Sequence, residues 1–272
     1  MRAIAPLIAL ALVGCSAAPA RHAARPAIVS LNPCTDAILV EVADPAQILG
    51  LSSYSYDPAG SSMDVATARR FASVSGSVEE VAALQPDLVV GSTFEPPASI
   101  AALGQLHLRF EAFGAASTVA ESQAQVTRLA ELAGHPERGA ALNAAIDAAM
   151  VQAAPPPGPM VPALVWQAGG MVPGSGTLIA QLLSAAGFSN AAAARGLKQA
   201  DLLPLEQVLA DPPRVIFTAG NSLANEDRLL AHPALRGLTG TLRAPLSPAL
   251  LWCGGPTIPK ALARLHEVRR AL

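Results

Sequence analysis

Val78-Glu79-Glu80-Val81 leads through Pro86 to Leu88-Val89-Val90, and Leu205-Glu206-Gln207-Val208 leads through Pro213 to Val215-Ile216-Phe217. The two stretches align without a gap, 127 positions apart (78 to 205). Each reads as one or two helical turns, a proline-marked break and a buried apolar strand. One unit used twice predicts two lobes built on one plan. The cleft between two lobes is where small molecules bind, so the repeat points to a ligand-binding protein.

Around the first copy, strand and helix signals alternate. Ala27–Leu31 is a β-type run, Asn32-Pro33 punctuates it, and Thr35–Val42 has helical spacing at Ile38, Leu39 and Val42. Gln47–Leu51 is a second strand, followed by a polar, aromatic loop over Ser52–Ser62. Ser77 with Glu80 forms a capping-box pattern that starts a helix. Leu88–Gly91 and His107–Phe110 are the next strands, with a helix over Pro97–Leu103 between them. Such alternation implies a parallel sheet with helices on its faces.

From Thr118 to Ala154 the spacing is helical throughout, with a break at Gly134-His135-Pro136, and Pro155-Pro156-Pro157-Gly158-Pro159 ends it. A strand at Ala163–Trp166, a Gly-rich loop to Gly176, a helix at Thr177–Ala186, the second copy of the repeat and a last helix at Pro259–Leu272 follow.

The chain opens with Met1-Arg2, an apolar run over Ala3–Val13, then Gly14-Cys15-Ser16. A basic start, a short apolar run and a small-residue cleavage site make a secretory signal, too short to span a bilayer. Leu12-Val13-Gly14-Cys15 resembles the bacterial lipobox, in which the cysteine becomes the lipidated first residue; cleavage after Ala18 or Ala20 is the alternative. The divisions are therefore a lipoprotein signal over 1–15, a tether over 16–25, an N-terminal α/β lobe over 26–117, a connecting helix over 118–154 and a C-terminal α/β lobe over 160–272.

Hydrophobic residues make up 51% of the chain, charged residues 14%, and the formal net charge is −2. Nothing here attracts nucleic acid or an anionic lipid surface, so the membrane is reached only through the lipid.

In this order the segments resemble the cobalamin-binding and iron-siderophore-binding proteins of bacterial ABC importers. The likeness is carried by Ile28–Pro33, Ile48–Tyr54, Glu79–Val90 and Leu205–Phe217, and extends from Ile28 to the final helix. The resemblance implies the class III periplasmic-binding-protein fold: two Rossmann-like α/β lobes, each a parallel-sheet sandwich, joined by one long helix. It also implies a monomer that captures a metal chelate, cobalamin or a ferric siderophore, and hands it to a permease dimer. One departure concerns cobalamin: near Ser73–Ser77, where cobalamin binders place a tryptophan, this chain has only small residues. A carrier of haem or of a free metal is the alternative, and a hydrolase or transferase on the same sheet is a further one.

A bare cation needs His, Asp and Glu at ligand spacing, whereas His22, His107, His135, His232 and His266 are scattered. No protein-bound metal, cofactor or catalytic residue is expected, and Gly-x-Ser-x-Gly and His-Glu-x-x-His are missing. Gly169–Thr177 lacks the lysine of a phosphate loop and the third glycine of a dinucleotide fingerprint, and reads as a turn.

A large chelate asks for an apolar cleft with a few polar anchors. The candidates at strand ends are Tyr54, Tyr56, Phe94, Trp166, Gln167, Met171 and Trp252, each of which reads equally well as a core or rim residue. Glu79 and Glu206, at the starts of the repeated helices, match the glutamates that the resembled importers use to meet permease arginines; stabilisation by the helix dipole also accounts for an acid there. With Cys15 lipidated, Cys34 and Cys253 remain, on loops that face the cleft from opposite lobes in the resembled fold. A disulfide, a thiolate pair on a metal and two separate thiols are all open.

Overall fold

The computed structural model describes residues 25–58, 60–155, 157–220 and 232–272. The signal, Cys15 and nearly all of the tether lie outside the described residues.

In the first lobe the strands are β1 (Ile28–Ser30), β2 (Ile48–Ser52), β3 (Ser73–Val74), β4 (Leu88–Ser92) and β5 (Phe110–Phe113). The helices are α1 (Pro33–Val42), α2 (Val65–Ala68), α3 (Val78–Ala83), α4 (Pro97–Gln105) and α5 (Val119–Ala133). The strands form one parallel sheet in the order β3-β2-β1-β4-β5, with Ile28 beside Leu88 at the start of the β1–β4 pair. Both faces are covered, which is why the central strands are apolar without alternation. Ile28, Leu88 and Val90 pack with Leu39 of α1 and Val126 and Leu129 of α5. Val29 and Val89 pack on the other face with Val81 of α3 and Leu103 of α4. Strand β5 begins at Phe110, three residues beyond the expected start, because His107 adopts φ +58 in the turn that closes α4.

The link between lobes differs from a single helix over 118–154. Gly134, at φ +77, caps α5, and Pro136 starts a separate helix α6 (Pro136–Ala153). The chain reverses there. Asn143 Nδ2 donates to Thr127 Oγ1 at 2.9 Å and Gln123 Nε2 to Asp147 Oδ1 at 2.7 Å, so the two helices run antiparallel. Gly139 permits the approach, since a Cβ there would lie 2.5 Å from the Ala130 Cβ. Helix α5 thus completes the first lobe's core, and α6 alone, about 27 Å long at 1.5 Å per residue, spans to the second lobe.

The second lobe has strands β6 (Val161–Gln167), β7 (Met171–Pro173), β8 (Phe188–Asn190), β9 (Ala200–Leu202), β10 (Val215–Ala219) and β11 (Leu242–Pro245). Its helices are α7 (Leu178–Ala185), α8 (Ala191–Ala194), α9 (Leu205–Ala210), α10 (Pro233–Arg236) and α11 (Thr257–Arg270). The main sheet is parallel in the order β11-β10-β6-β8, and β7 pairs antiparallel with β9 in a separate ribbon. Ala163, Val165, Val215 and Phe217 face α6, α7 and α11, while Leu164, Trp166 and Ile216 face the opposite layer with Val208 and Leu235.

The two copies of the repeat correspond residue for residue. Helices α3 and α9 have six residues each, strands β4 and β10 five each, and Val78 to Leu205 and Ser92 to Ala219 keep the 127-position offset. Strand β4 lies between β1 and β5, as β10 lies between β6 and β11.

Cys34 and Cys253 are joined as a disulfide, with Cα atoms 5.1 Å apart and 219 positions between them in sequence. The bond runs from one lobe to the other. In the first lobe's core, Asp36 is fully buried beneath the turn after β2, where Ser55 Oγ donates to Oδ2 at 2.6 Å. Burial pushes its carboxyl from 3.8 up to about 8, offset in part by hydrogen bonds from nearby serines.

Two stability predictions follow from these placements. In a loop of 219 residues the chain-entropy relation gives about 5 kcal/mol for the disulfide, and removal of native bridges typically costs about 2–5 kcal/mol. The Cys34→Ser/Cys253→Ser protein should lose stability in that range by urea denaturation, and an unmoved midpoint would mean the bond constrains nothing. For Asp36, the folded chain holds more protons than the unfolded chain between about pH 4 and 8, so the acid erodes stability as pH rises through that window. Asp36→Asn should therefore gain on the parent protein between pH 5 and pH 9, by a few kcal/mol at most. A stability difference that is flat with pH would show that Asp36 is ionised throughout.

Candidate functional site

The carboxyl ends of parallel strands are where open α/β sheets bind ligands. A crevice of about 250 Å³ lies between the lobes there, with Cys34, the 114–117 loop and Gln125 on one side. Gln167, Met171, Gln199 and the 251–254 turn form the other side.

The walls are fixed by local geometry. Asn32 caps α1 by accepting from the Cys34 and Thr35 amides, and Pro33 presets the first turn, so Cys34 is held at the helix start facing the second lobe. On the opposite wall, Gly255, at φ +62, donates its N–H to Ser122 Oγ of α5 at 2.6 Å, and a side chain at 254 would collide with Ser122. A further bond joins the Val119 amide to Gln181 Oε1 at 2.7 Å. Gln125 Nε2 donates to the Gly114 carbonyl at 2.8 Å, which holds the 114–117 loop to α5. The glycines at 174 and 176 have a packing reason too, because the backbone at 197–198 passes against them where a Cβ would project.

Of the residues expected at the site, Gln167, Met171 and Trp252 come together in the crevice, beside the disulfide. Trp252 is 52% exposed. Tyr54 and Phe94 stand on the first lobe at the carboxyl ends of β2 and β4, 65% and 83% exposed. Serine hydroxyls fix both turns: Ser52 Oγ accepts from the Tyr54 amide and Ser92 Oγ from the Phe94 amide.

Two expected contacts are placed differently. Trp166 is the sixth residue of a seven-residue strand, and strand alternation turns it into the core, with no exposed surface. Tyr56 is half-buried on the first lobe's core, and its hydroxyl donates to the Phe71 carbonyl at 2.8 Å. Burial, reinforced by the neighbouring Asp36, raises its phenol pKa. Gln125 and Gln199 were not singled out by sequence reading: one looks like any polar residue of an amphipathic helix, the other like a loop residue.

Charged side chains are missing from the crevice wall among the described residues, and no group of three or more His, Cys, Asp or Glu side chains there could hold a metal. Glu79 and Glu206 are exposed in the first turns of α3 and α9, with no ion-pair partner among the described residues. Each helix leads into the strand beside the first strand of its lobe, α3 into β4 and α9 into β10.

No curated protein sequence matches the chain significantly. Among solved structures, it is similar to a periplasmic haem-binding protein of Pseudomonas aeruginosa, at 24% identity and TM-score 0.68 over 89% of this chain and 92% of that one. The haem-binding protein HutB of Vibrio cholerae matches at 16% identity and TM-score 0.73, over 89% and 97%. The vitamin B12-binding protein BtuF of Vibrio cholerae matches at 20% and 0.68, over 91% and 98%. Residues 28–241 match the profile of the periplasmic binding proteins, and the chain belongs to that family.

Proposed function

We propose that this protein is the extracytoplasmic substrate-binding component of an ABC importer, capturing a metal chelate between its lobes and delivering it to the permease. The observation that carries the reading is the interlobe crevice, walled by Gln167 and Trp252, with the exposed rings of Tyr54 and Phe94 at the strand ends of the facing lobe. Exposed aromatics on fixed turns suit the flat apolar faces of a chelate. The similar structures described as haem- and vitamin B12-binding proteins support a tetrapyrrole-sized ligand, and a ferric siderophore is the other class. A crevice of about 250 Å³ falls below the roughly 300–1,000 Å³ of sites that enclose a ligand, so the chelate sits in the open mouth against the rims. Cys15, in its lipobox-like sequence outside the described residues, anchors the protein to the membrane, and the mature protein acts as a monomer.

Titration with haemin, cyanocobalamin and ferric siderophores should quench tryptophan fluorescence with one of them, and Trp252→Phe should remove most of the quench because Trp166 is buried. The same ligand at 100 times its dissociation constant should stabilise the fold by about 2.7 kcal/mol. Silence across all of these chelates in both measurements would overturn the reading.

Glu79 and Glu206 dock the protein on its permease. Their support is equivalence: each is the second residue of its helix, exposed and without an ion-pair partner among the described residues, one on each lobe. Paired carboxylates set register and encounter rate with a basic, paired partner surface. Glu79→Gln/Glu206→Gln should leave chelate affinity and the thermal midpoint in place while weakening permease binding at physiological salt. Wild-type permease binding by the double variant would return both residues to a helix-start role alone.

A further inference from the structure

The Cys34–Cys253 bond lies in the wall of the crevice rather than in the core of either lobe: both cysteines line it, with Gln167 and Trp252 among their neighbours there. The two sulfurs are not equally placed. Cys34 is partly exposed, and its Sγ lies 3.6 Å from the Trp252 carbonyl oxygen at an exposed contact, whereas Cys253 is 6% exposed. Thiol–disulfide exchange needs a thiolate to reach one sulfur, so exposure separates a labile bond from a sealed one. Cys34 is also the second residue of α1, a ten-residue helix, and a helix start favours negative charge on a sulfur placed there. The lobes keep contacts that do not involve the sulfurs: the Gly255 amide on Ser122 Oγ at 2.6 Å and the Val119 amide on Gln181 Oε1 at 2.7 Å. These bonds hold the 253–255 turn near α1 when the sulfurs part.

We propose that Cys34–Cys253 is a thiol-exchange site: a dithiol reductant enters the crevice and opens the bond at Cys34 Sγ, and a ligand seated in the crevice shields it. In the first step a thiolate of the reductant bonds to Cys34 Sγ, the protein S–S bond breaks, and its electron pair leaves on Cys253, which takes up the proton that the reductant lost. In the second step the reductant's other thiol attacks its own sulfur in this mixed disulfide. That closes the reductant's disulfide and releases Cys34 as a thiolate at the helix start, where it is protonated in turn. The reductant is oxidised by two electrons and the protein gains two thiols. The shielding rests on the proposed capture of a chelate, while the exchange does not. Together they make the tie between the lobes report on occupancy, because the empty protein is open to reduction and the loaded protein stays bridged.

The test uses the mature, oxidised protein. Its reduction by dithiothreitol is followed by alkylation and mass spectrometry, and the mixed disulfide formed with 2-mercaptoethanol is trapped with acid and mapped by peptide. The reduction rate should rise linearly with dithiothreitol, and the trapped adduct should sit on Cys34 in preference to Cys253 by about tenfold, a preference that concentrated urea abolishes. Cyanocobalamin and the gallium(III) forms of protoporphyrin and of the siderophores, whose metal the thiol does not reduce, are then added. Whichever of them quenches tryptophan fluorescence should slow the reduction by about tenfold at saturation. A rate that saturates with dithiothreitol, an adduct on Cys253, or a native bond that resists while the urea-unfolded chain is reduced overturns the exchange site. A chelate that quenches and leaves the rate unchanged overturns the shielding. Silence from every chelate removes chelate capture and the shielding with it, and the adduct at Cys34 still decides the exchange.

Discussion

The turn at 253–255 lies directly on α1 and α5 of the other lobe, and the Cys34–Cys253 bond makes that seating covalent. The rest of the binding surface depends on it. Without the bond the two lobes are held by α6, by the packing of Val119 in the second lobe's core and of Gly255 against Ile38 and Val126, and by a small set of polar contacts. With it, the 251–254 turn that carries Trp252 is tied covalently to the start of α1. In the proposed ligand capture, such a tie favours preorganisation of the crevice wall.

What could be read beforehand follows a physical division. The repeat at 78–90 and 205–217 was legible to the residue because its apolar strand is buried on both faces and tolerates no slip. Helix α1, the break at Gly134 and the capping serine at 77 were legible because backbone geometry dictates Pro, Gly and Ser there. Periodicity does not say where a strand stops, so Trp166 read as the strand's last residue and a contact at its end, although the strand runs on to Gln167 and turns Trp166 into the core. The direction of the chain after Gly134 was equally hidden, since a break in helical spacing looks the same for a kink and for a reversal. The β7–β9 ribbon and the crevice residues Gln125 and Gln199 left no local signal: the ribbon pairs Met171 with Leu202, and the two glutamines, 74 positions apart, meet only through tertiary packing. The joining of Cys34 to Cys253 was one of three open arrangements, and only the seating of the two loops decides among them.

The duplicated helix starts show what a shared plan keeps and what it lets go. Ser77 caps α3 by accepting from the Glu80 amide, whereas Pro204 precedes α9 and offers no side-chain cap. Glu80 turns back to the Ser75 backbone and hydroxyl, and its counterpart position holds Gln207. The capping arrangement therefore differs between the copies, while the carboxylate at the second helical position is common to both. A local helix-start role explains one such acid at a time; the equivalence of two, at the same offset on separate lobes, is a property of the whole molecule.

The described lining of the crevice is apolar and carboxamide-rich, which bears on how binding energy would be gained there. In the proposed ligand capture, the exposed rings of Tyr54, Phe94 and Trp252 supply the contact area. Contact with these rings removes apolar surface from water, at about 25 cal/mol per Å², and that term is insensitive to salt. The carboxamides then supply orientation, since an unmet amide in a partly buried wall costs more than a met one returns. In the proposed function, recognition and delivery use different physics on one molecule: burial and hydrogen bonding at the crevice would hold the ligand, while Glu79 and Glu206, exposed outside it, would meet the partner through charge, so salt would act chiefly on the second step.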